Sequence, residues 1–349
     1  MEKLEAPKFK SRRTLELWKL LWSLVLGVWS FSAHAQPFHL PTANHALLEK
    51  NAGEKFFVGT TGKPWESGCF GCVRSDGWQM HEGLDIKCLQ RDKHGEPTDP
   101  VLATADGTVA YISNHPELSN YGRYVIVRHM VDGIEVYSLY AHLSAIREGL
   151  KIGQQVKTSE PIATMGRTSN TRERITKERA HVHFELNLLY SDNYSRWHKK
   201  NLPGQHNDHG EWNGQNLVGI DPKLVFEAER TQGAEFNLAQ FLQTRTELFR
   251  VLVRKTDFPF LRHYHALIVE RNLDKKTIAG YEIAVDYNGL PLQLIPHTAA
   301  EIKSGPKYQL LGVNTAEYAK NPCRKLVKQH GKRWDLTTKG TSLLDLLLF

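Results

Sequence analysis

The stretch His181-Val182-His183-Phe184-Glu185-Leu186 decides how this chain is interpreted. Successive side chains of a β-strand point to opposite faces, so His181, His183 and Glu185 share one face, and the apolar residues between them share the other. The apolar face predicts a strand that packs on a core. On the polar face the two imidazoles would stand about 7 Å apart, close enough to serve one small site. A metal site is one interpretation, and a pair of exposed histidines is the other.

The composition is that of a soluble globular protein. The chain has 349 residues, of which 40% are hydrophobic and 24% are charged, so we expect about two domains and no wholesale disorder. The formal charge of +7 would fall to +4 without residues 1–35, which carry six basic and three acidic side chains. This mild excess suits association with an anionic polymer or an envelope surface. It does not indicate a nucleic-acid partner, and the sequence has neither a phosphate-binding glycine loop nor a basic helix.

The first 35 residues have the pattern of a signal peptide. Basic residues precede the apolar run of residues 20–31, and Ala33-His34-Ala35 supplies the small-x-small pattern of a cleavage site. The apolar run is short for a membrane span. We therefore predict a mature start at Gln36 and a periplasmic or secreted protein; an uncleaved anchor is the alternative.

Export would permit disulfides among the four cysteines, which are Cys69, Cys72, Cys88 and Cys323. Three pairings are possible. The Cys69-x-x-Cys72 pair could belong to a redox motif or to half of a zinc knuckle. No second close pair and no thioredoxin-like pattern accompany it, so we expect structural disulfides. A bridge from Cys88 to Cys72 or Cys69 would stiffen the loop between them.

Short β runs separated by turn residues extend from residue 72 to residue 222 and predict an antiparallel sandwich or open barrel. Asp106-Gly107 predicts a hairpin between residues 101–105 and 108–112, and Asp132-Gly133 predicts a second one. The fold class expected is thus mainly β, with a smaller α+β domain following. The expected division is a lead-in of residues 36–67, a β-rich domain of residues 68–230 and a C-terminal domain of residues 231–349.

Two polar segments flank the histidine strand. Residues 169–179 are highly charged and are expected to form a solvated loop that could also wall a cleft. Residues 190–216 are polar and rich in turn formers, and we predict a long surface insertion there. For the C-terminal domain the patterns predict helices over residues 237–249, 323–330 and 342–348, strands over residues 249–253, 266–269 and 281–285, and a hairpin at Asn288-Gly289.

Two further motifs contain histidine. His81-Glu82-Gly83-Leu84-Asp85 places a histidine and a carboxylate four positions apart, and Gly83 favours a bent loop over a helix. In an extended strand the two side chains would stand about 13 Å apart, so a shared metal ion requires a turn at Gly83. Tyr140-Ala141-His142-Leu143 places another histidine where a β run ends, which is a common position for a cleft residue.

Together and in this order, the motifs His-x-x-x-Asp, Tyr-Ala-His-Leu and His-x-His-Phe-Glu resemble those of the lysostaphin/LytM-type zinc metalloendopeptidases, which cut peptidoglycan cross-links. Gly107-Thr108-Val109 and Gly219-Ile220-Asp221-Pro222 also resemble segments of that family. The resemblance covers residues 68–222. Three separated motifs in a fixed order are specific, whereas any one of them alone is not.

The resemblance implies a Zn²⁺ cofactor and peptidoglycan stem peptides or cross-links as the partner. It implies His81, Asp85 and His183 as zinc ligands and His142 and His181 as catalytic histidines. We expect Glu185 to orient one of the ligands. The function implied is that of an exported zinc metalloendopeptidase. The alternatives are a non-catalytic wall-binding or regulatory module and a zinc peptidase that acts on exported proteins.

Overall fold

The computed structural model describes residues 37–172 and 174–349 and consists mainly of antiparallel β-sheets, so the predicted fold class is confirmed. The predicted signal peptide lies outside the described residues. The strands up to residue 220 are β1 (Gly71–Arg74), β2 (Gln79–His81), β3 (Leu84–Lys87), β4 (Pro100–Leu102), β5 (Gly107–Ser113), β6 (Tyr124–Val131), β7 (Ile134–Ala141), β8 (Ala145–Ile146), β9 (Gln155–Val156), β10 (Pro161–Thr164), β11 (His181–Leu189) and β12 (Leu217–Ile220). The helices of this part and its border are α1 (Gly53–Phe56), α2 (Tyr194–Asn201) and α3 (Pro222–Gln232).

The histidine strand β11 lies within the largest sheet. The sheet order is β12-β11-β7-β6-β5-β9, and β3 pairs with the first half of β11 on the side where β12 pairs with its second half. All nine residues of β11 are buried. Its apolar side chains join the main core, and its polar side chains are covered as well. The interpretation of His181 and His183 as exposed residues is therefore wrong.

The register of β3 on β11 brings the separated motifs together. His183 lies opposite Asp85 of β3 on one side and opposite Ala141 of β7 on the other. Between β2 and β3 the chain bends at Gly83, as predicted. A Cβ atom on Gly83 would lie 2.4 Å from the carbonyl oxygen of Phe184 in β11. Only glycine therefore lets the bend between β2 and β3 approach β11 this closely.

One of the two predicted hairpins in this part is present. Strands β6 and β7 are joined at Asp132-Gly133, where both residues have positive φ, as the predicted turn requires. The hairpin predicted at Asp106-Gly107 is wrong. Strand β4 pairs with β10 in a separate three-stranded sheet, and β5 pairs with β6 and β9. The carboxylate of Asp106 accepts hydrogen bonds from Thr158, so this turn joins β5 to the loop after β9.

The segments outside the sheets are more buried than their composition suggests. In the lead-in, Phe38, Phe56 and Phe57 belong to the main core. The insertion at residues 190–216 is not simply a surface loop, because α2 buries Tyr194 and Trp197. The spacing of these two aromatic residues places them on one face of a helical turn.

The C-terminal part consists of a four-stranded antiparallel sheet in the order β15-β14-β13-β16, a two-stranded hairpin and short helices. Its strands are β13 (Phe249–Val253), β14 (Ile278–Val285), β15 (Pro291–Thr298), β16 (Tyr308–Val313), β17 (Val327–His330) and β18 (Arg333–Leu336). Its helices are α4 (Leu238–Gln243), α5 (Pro259–His263), α6 (Thr315–Lys320) and α7 (Thr338–Leu347). No helix among residues 37–172 and 174–349 combines the length and apolar character that crossing a membrane requires.

The predictions for this part are confirmed in some elements and wrong in others. The hairpin at Asn288-Gly289 and the last helix are present, and the helix predicted at residues 237–249 is shortened to α4. The helix predicted at residues 323–330 is wrong, because residues 327–330 pair with β18. In place of the strand predicted at residues 266–269, residues 265–267 form a 3₁₀ turn and Ile268 forms an isolated β-bridge with Leu294. The described residues form one compact unit, and the domain boundary near residue 230 stays a prediction.

The cysteine pairing differs from the sequence prediction. Cys72 of β1 forms a disulfide with Cys323 of the C-terminal part, and Cys69 and Cys88 are free. The predicted bridge from Cys88 is wrong because its side chain, at the end of β3, packs in the main core. Burial raises the pKa of the Cys69 thiol to about 12, so Cys69 is a poor nucleophile near neutral pH. A redox role for Cys69-x-x-Cys72 is not supported.

Replacing both Cys72 and Cys323 with serine is expected to lower the free energy of unfolding by about 2–4 kcal/mol. The bond closes a loop between residues separated by 251 positions, so its loss releases much denatured-state entropy. Denaturant unfolding of the oxidised wild type and the double variant measures the difference. Adding reductant should move the wild type toward the variant and leave the variant unchanged. Equal midpoints for all samples would contradict the pairing.

Candidate metal centre

Three side chains, from β2, β3 and β11, place one potential ligand atom each at a common point. The Nε2 atom of His81 lies 3.1 Å from Oδ1 of Asp85 and 3.1 Å from Nδ1 of His183, and the last two atoms are 3.0 Å apart. A tetrahedral zinc site with bonds near 2.0–2.1 Å has edges of about 3.3–3.4 Å. The three atoms therefore fit one face of such a tetrahedron, and the fourth position remains for a further ligand.

The outer nitrogen of each candidate ligand histidine is fixed by a hydrogen bond. His81 donates from Nδ1 to the carbonyl oxygen of Cys69 at 2.7 Å, which turns its Nε2 inward. His183 has the opposite orientation, because its Nε2 donates to the carboxylate of Glu185 at 2.7 Å and its Nδ1 faces inward. Such outer hydrogen bonds set the tautomer and the ring orientation that a metal ligand needs.

Asp85 is held in the same way. Its Oδ2 accepts a 2.6 Å hydrogen bond from Arg74, so only Oδ1 faces the two ligand histidines. Burial raises the pKa of Asp85, but the charges of His181 and His81 oppose it, and the pKa lies well below its ordinary value. Asp85 is therefore an ionised carboxylate with one oxygen available to bind a cation.

Glu185 connects the metal centre to a small buried network. Besides the bond from His183, it accepts a 2.8 Å bond from the hydroxyl of Tyr121 and a 2.8 Å bond from the amide of Asn187. Burial raises the pKa of Tyr121 well above its ordinary value, so the phenol stays protonated and donates. This geometry is compatible with the predicted orienting role of Glu185.

Sequence reasoning missed Arg74 and Tyr121. Both reach the site from segments without a spacing relation to the histidine motifs: Arg74 ends β1, and Tyr121 precedes β6. The only available signal was general, namely that a buried ionised carboxylate such as Asp85 needs a donor or a positive charge beside it.

His183 lies between two carboxylates. Burial lowers its pKa, but hydrogen bonds to Asp85 and Glu185 outweigh this effect and raise the pKa to about 10. The imidazole consequently holds a proton on Nδ1, between itself and Asp85, at neutral pH. A divalent cation bound by Nδ1 must displace that proton.

Zinc binding is therefore expected to release a proton at pH 7, and the zinc affinity should rise by up to about tenfold per pH unit as long as His183 is protonated in the free protein. The affinity rises with pH because, below the raised pKa of about 10, the metal competes with the proton on His183. Calorimetric titration in buffers of different ionisation enthalpy counts the protons. Glu185→Gln should reduce the release, because it removes one of the carboxylates that stabilise the imidazolium. A binding enthalpy that is the same in all buffers would contradict this expectation.

Two further histidines face the same point without belonging to the ligand triangle. His142 and His181 donate from Nδ1 to the carbonyl oxygens of Thr168 and Arg179, at 2.9 and 2.6 Å, so each presents Nε2 to the site. Their ring centroids are 4.9 Å apart, and Nε2 of His181 lies 3.4 Å from Oδ1 of Asp85. Both nitrogens can accept or return a proton there.

His142 has two properties that distinguish it from a packing residue. Burial and the neighbouring His181 and His183 lower its pKa well below the ordinary value, so its imidazole is neutral. Its φ of +62° is rare outside glycine and is held in place by a backbone hydrogen bond to the carbonyl of Tyr121.

The metal centre opens into a groove of about 1230 Å³. The charged segment 169–179 lines it through Ser169 and Ile175, so this segment is a groove wall as well as a loop. The insertion contributes Trp197 and His209. His209 contacts Tyr111 and Tyr124 and does not join the ligand triangle.

Comparison with known proteins identifies relatives of this chain. Residues 79–195 match the sequence model of Peptidase family M23. Lipoprotein NlpD of Yersinia enterocolitica is 33% identical over 95 residues, which are 27% of this chain and 84% of that protein. The chain belongs to peptidase family M23. The resemblance inferred from the three motifs is thereby confirmed at the level of the family.

Other relatives of this M23 chain are much longer than the matched region. Cell division protein DipM of Caulobacter vibrioides is 35% identical over 108 residues, 31% of this chain and 14% of DipM. Murein hydrolase activator NlpD of Escherichia coli is 33% identical over 106 residues, 30% of this chain and 22% of the activator. The chain thus spans less than a quarter of the length of these two relatives.

Solved structures of M23-type peptidases are also similar to parts of the chain. A zinc-containing peptidase from Vibrio cholerae shares 30% identity over 31% of this chain and 26% of its own, with a TM-score of 0.23. The catalytic domain of lysostaphin from Staphylococcus simulans shares 19% identity over 46% of this chain and 87% of its own, with a TM-score of 0.28.

Proposed function

We propose that this M23 chain is an exported zinc metalloendopeptidase that hydrolyses peptide cross-links of bacterial peptidoglycan. The observation that carries the proposal is the triangle of His81 Nε2, Asp85 Oδ1 and His183 Nδ1, with edges of 3.0–3.1 Å, beside two histidines that are not part of it. Three protein ligands and a remaining position are the arrangement of a catalytic zinc rather than a structural one.

The chain's own residues have separate tasks in this proposal. His81, Asp85 and His183 hold the ion, and Glu185 and Arg74 keep His183 and Asp85 in the orientation that this requires. When bound, zinc supplies Lewis acidity that activates a water molecule and polarises the scissile carbonyl. Of His142 and His181, one takes the proton of the attacking water, and the other stabilises the developing oxyanion or protonates the leaving amine.

Separate observations support the proposed location and the proposed substrate class. The signal-peptide pattern of residues 1–35 and relatives named lipoproteins support export to the cell envelope. Relatives named for murein hydrolase activation and for cell division support the bacterial wall as the substrate. The mild positive charge supports association with the anionic envelope surface.

Digestion of purified peptidoglycan by the zinc-loaded protein, with and without a chelator, tests the proposal. We expect chelator-sensitive release of free amino groups, since each hydrolysed peptide bond frees one amine. Absence of release from walls of different cross-link chemistry would overturn the assignment as a wall peptidase. Parallel digestion of unfolded proteins separates wall hydrolysis from the alternative in which exported proteins are the substrate.

A non-catalytic regulatory role is the second candidate, and the relatives named murein hydrolase activator favour it. An activator would stimulate a separate wall hydrolase, and His183→Ala should leave that stimulation intact. A peptidase should instead lose its own product release in the same variant. Measuring both activities on one preparation decides between the two roles.

A further inference from the structure

The C-terminal part of the chain supplies one wall of the groove that contains the metal centre. Arg324 and, at the start of α7, Thr338, Lys339 and Ser342 line this groove. The disulfide from Cys323 attaches this wall to β1, which pairs with β2, the strand that ends at His81. The wall is therefore fixed relative to the ligands.

Asn288 places an unpartnered acceptor in this wall. Its side chain is 1% exposed, and its Nδ2 donates to the carbonyl oxygen of Gly219 at 2.9 Å. Because a carbonyl can only accept, the amide orientation is determined, and the remaining Oδ1 is buried. That oxygen has no hydrogen-bond partner among the described residues, yet Asn288 lines the groove. A buried acceptor in such a position suits an N–H group of a bound molecule.

Trp197 adds an unpartnered donor to the same groove. Its indole is 6% exposed, and its Nε1 has no partner in the part of the chain that the structure describes. Asn288 and Trp197 thus offer an acceptor and a donor, which is what the backbone of a peptide requires.

The charge of the wall is positive. Lys339 is exposed and makes no ion pair with any described residue. Arg324 pairs with Glu82 at 3.7 Å and donates from Nε to the carbonyl oxygen of Asn288 at 3.2 Å, so its guanidinium is held in the same wall. Lys339 stands in the first turn of α7, a helix of ten residues whose amino end carries partial positive charge. The hydroxyl of Thr337 accepts a hydrogen bond from the backbone N–H of Gly340 and donates one to the carbonyl oxygen of Leu326. These two bonds hold the first turn of α7 in place.

We propose that this wall recognises an acidic peptide: Arg324, Lys339 and the amino end of α7 bind a carboxylate, and Asn288 Oδ1 accepts a backbone N–H. The proposal rests on the function proposed above and specifies its substrate as a peptide with a free carboxylate. Among the described residues that line the groove, four are basic and two are acidic, and both acids are paired with basic residues, Asp85 with Arg74 and Glu82 with Arg324.

Binding to the full chain tests this without requiring cleavage. The probe is a short wall-type stem peptide with a free carboxylate, compared with its carboxyl-terminal amide, titrated calorimetrically in the presence of a chelator. We expect the carboxylate form to bind at least tenfold more tightly than the amide. Lys339→Ala and Arg324→Gln should each reduce that preference about fivefold, and Lys339→Glu should reduce it further.

Lys332→Ala and Arg333→Gln are the matched controls, because they remove the same charges from the exposed β17–β18 hairpin, outside the groove. Equal binding of acid and amide, or equal effects of the groove variants and the controls, would overturn the proposal. Lys339 is exposed, so its variants are expected to fold, and thermal unfolding checks this. If the acid form binds preferentially but no wall is digested, the recognition stands and the peptidase proposal fails.

Discussion

His183→Ala is expected to remove both the bound zinc and the peptidase activity, with zinc falling from about one ion per chain to almost none. The inward Nδ1 of His183 lies 3.0–3.1 Å from the other two ligand atoms, so its loss leaves only two ligands. A catalytic zinc site needs three protein ligands, and the activity should fall by at least about 10³-fold.

His206→Ala is a suitable control, because His206 is an exposed histidine of the insertion and lies outside the ligand triangle. Metal analysis and wall digestion on both variants give the comparison. Retention of zinc in His183→Ala, or equal loss in both variants, would show that the ion is held elsewhere.

His181→Ala is expected to separate metal binding from catalysis. Its Nδ1 is anchored to the carbonyl of Arg179, and its Nε2 lies 3.4 Å from Asp85, beside the triangle rather than within it. Zinc content should therefore stay near that of the wild type, while kcat falls by about 10²–10⁴-fold, the usual contribution of a positioned acid or base.

The comparison with His183→Ala makes this result informative. Loss of zinc in His181→Ala would assign His181 to the ligand set, and an unchanged kcat would remove it from the proton-transfer steps. His142→Ala provides a second test of the same kind, because its Nε2 also faces the site and its Nδ1 is anchored to the carbonyl of Thr168.

The candidate site could be predicted because its chemistry is concentrated in short motifs. Strand alternation alone puts His181, His183 and Glu185 on one face, and the structure keeps them there. The meeting of His81, Asp85 and His183 could be anticipated only through the order of the motifs, because it depends on the register of β3 on β11. Nothing local in the sequence specifies that register.

The wrong predictions have a common physical origin. A turn dipeptide such as Asp106-Gly107 favours a reversal but does not choose which strands pair afterwards, and here β9 takes the edge of β5. Residues 323–330 are too few for their apolar spacing to distinguish a helix from a strand. The partner of Cys72 is 251 positions away, beyond any local pattern.

The long span of the disulfide also orders events during biogenesis. The five residues proposed for zinc binding and proton transfer lie between positions 81 and 183, so in the proposed export they would leave a translocation channel before Cys323. In the proposed export, this disulfide can form only after the last segment has reached oxidising surroundings. The bond between Cys72 and Cys323 would therefore form late, after the residues of the candidate metal centre have been delivered.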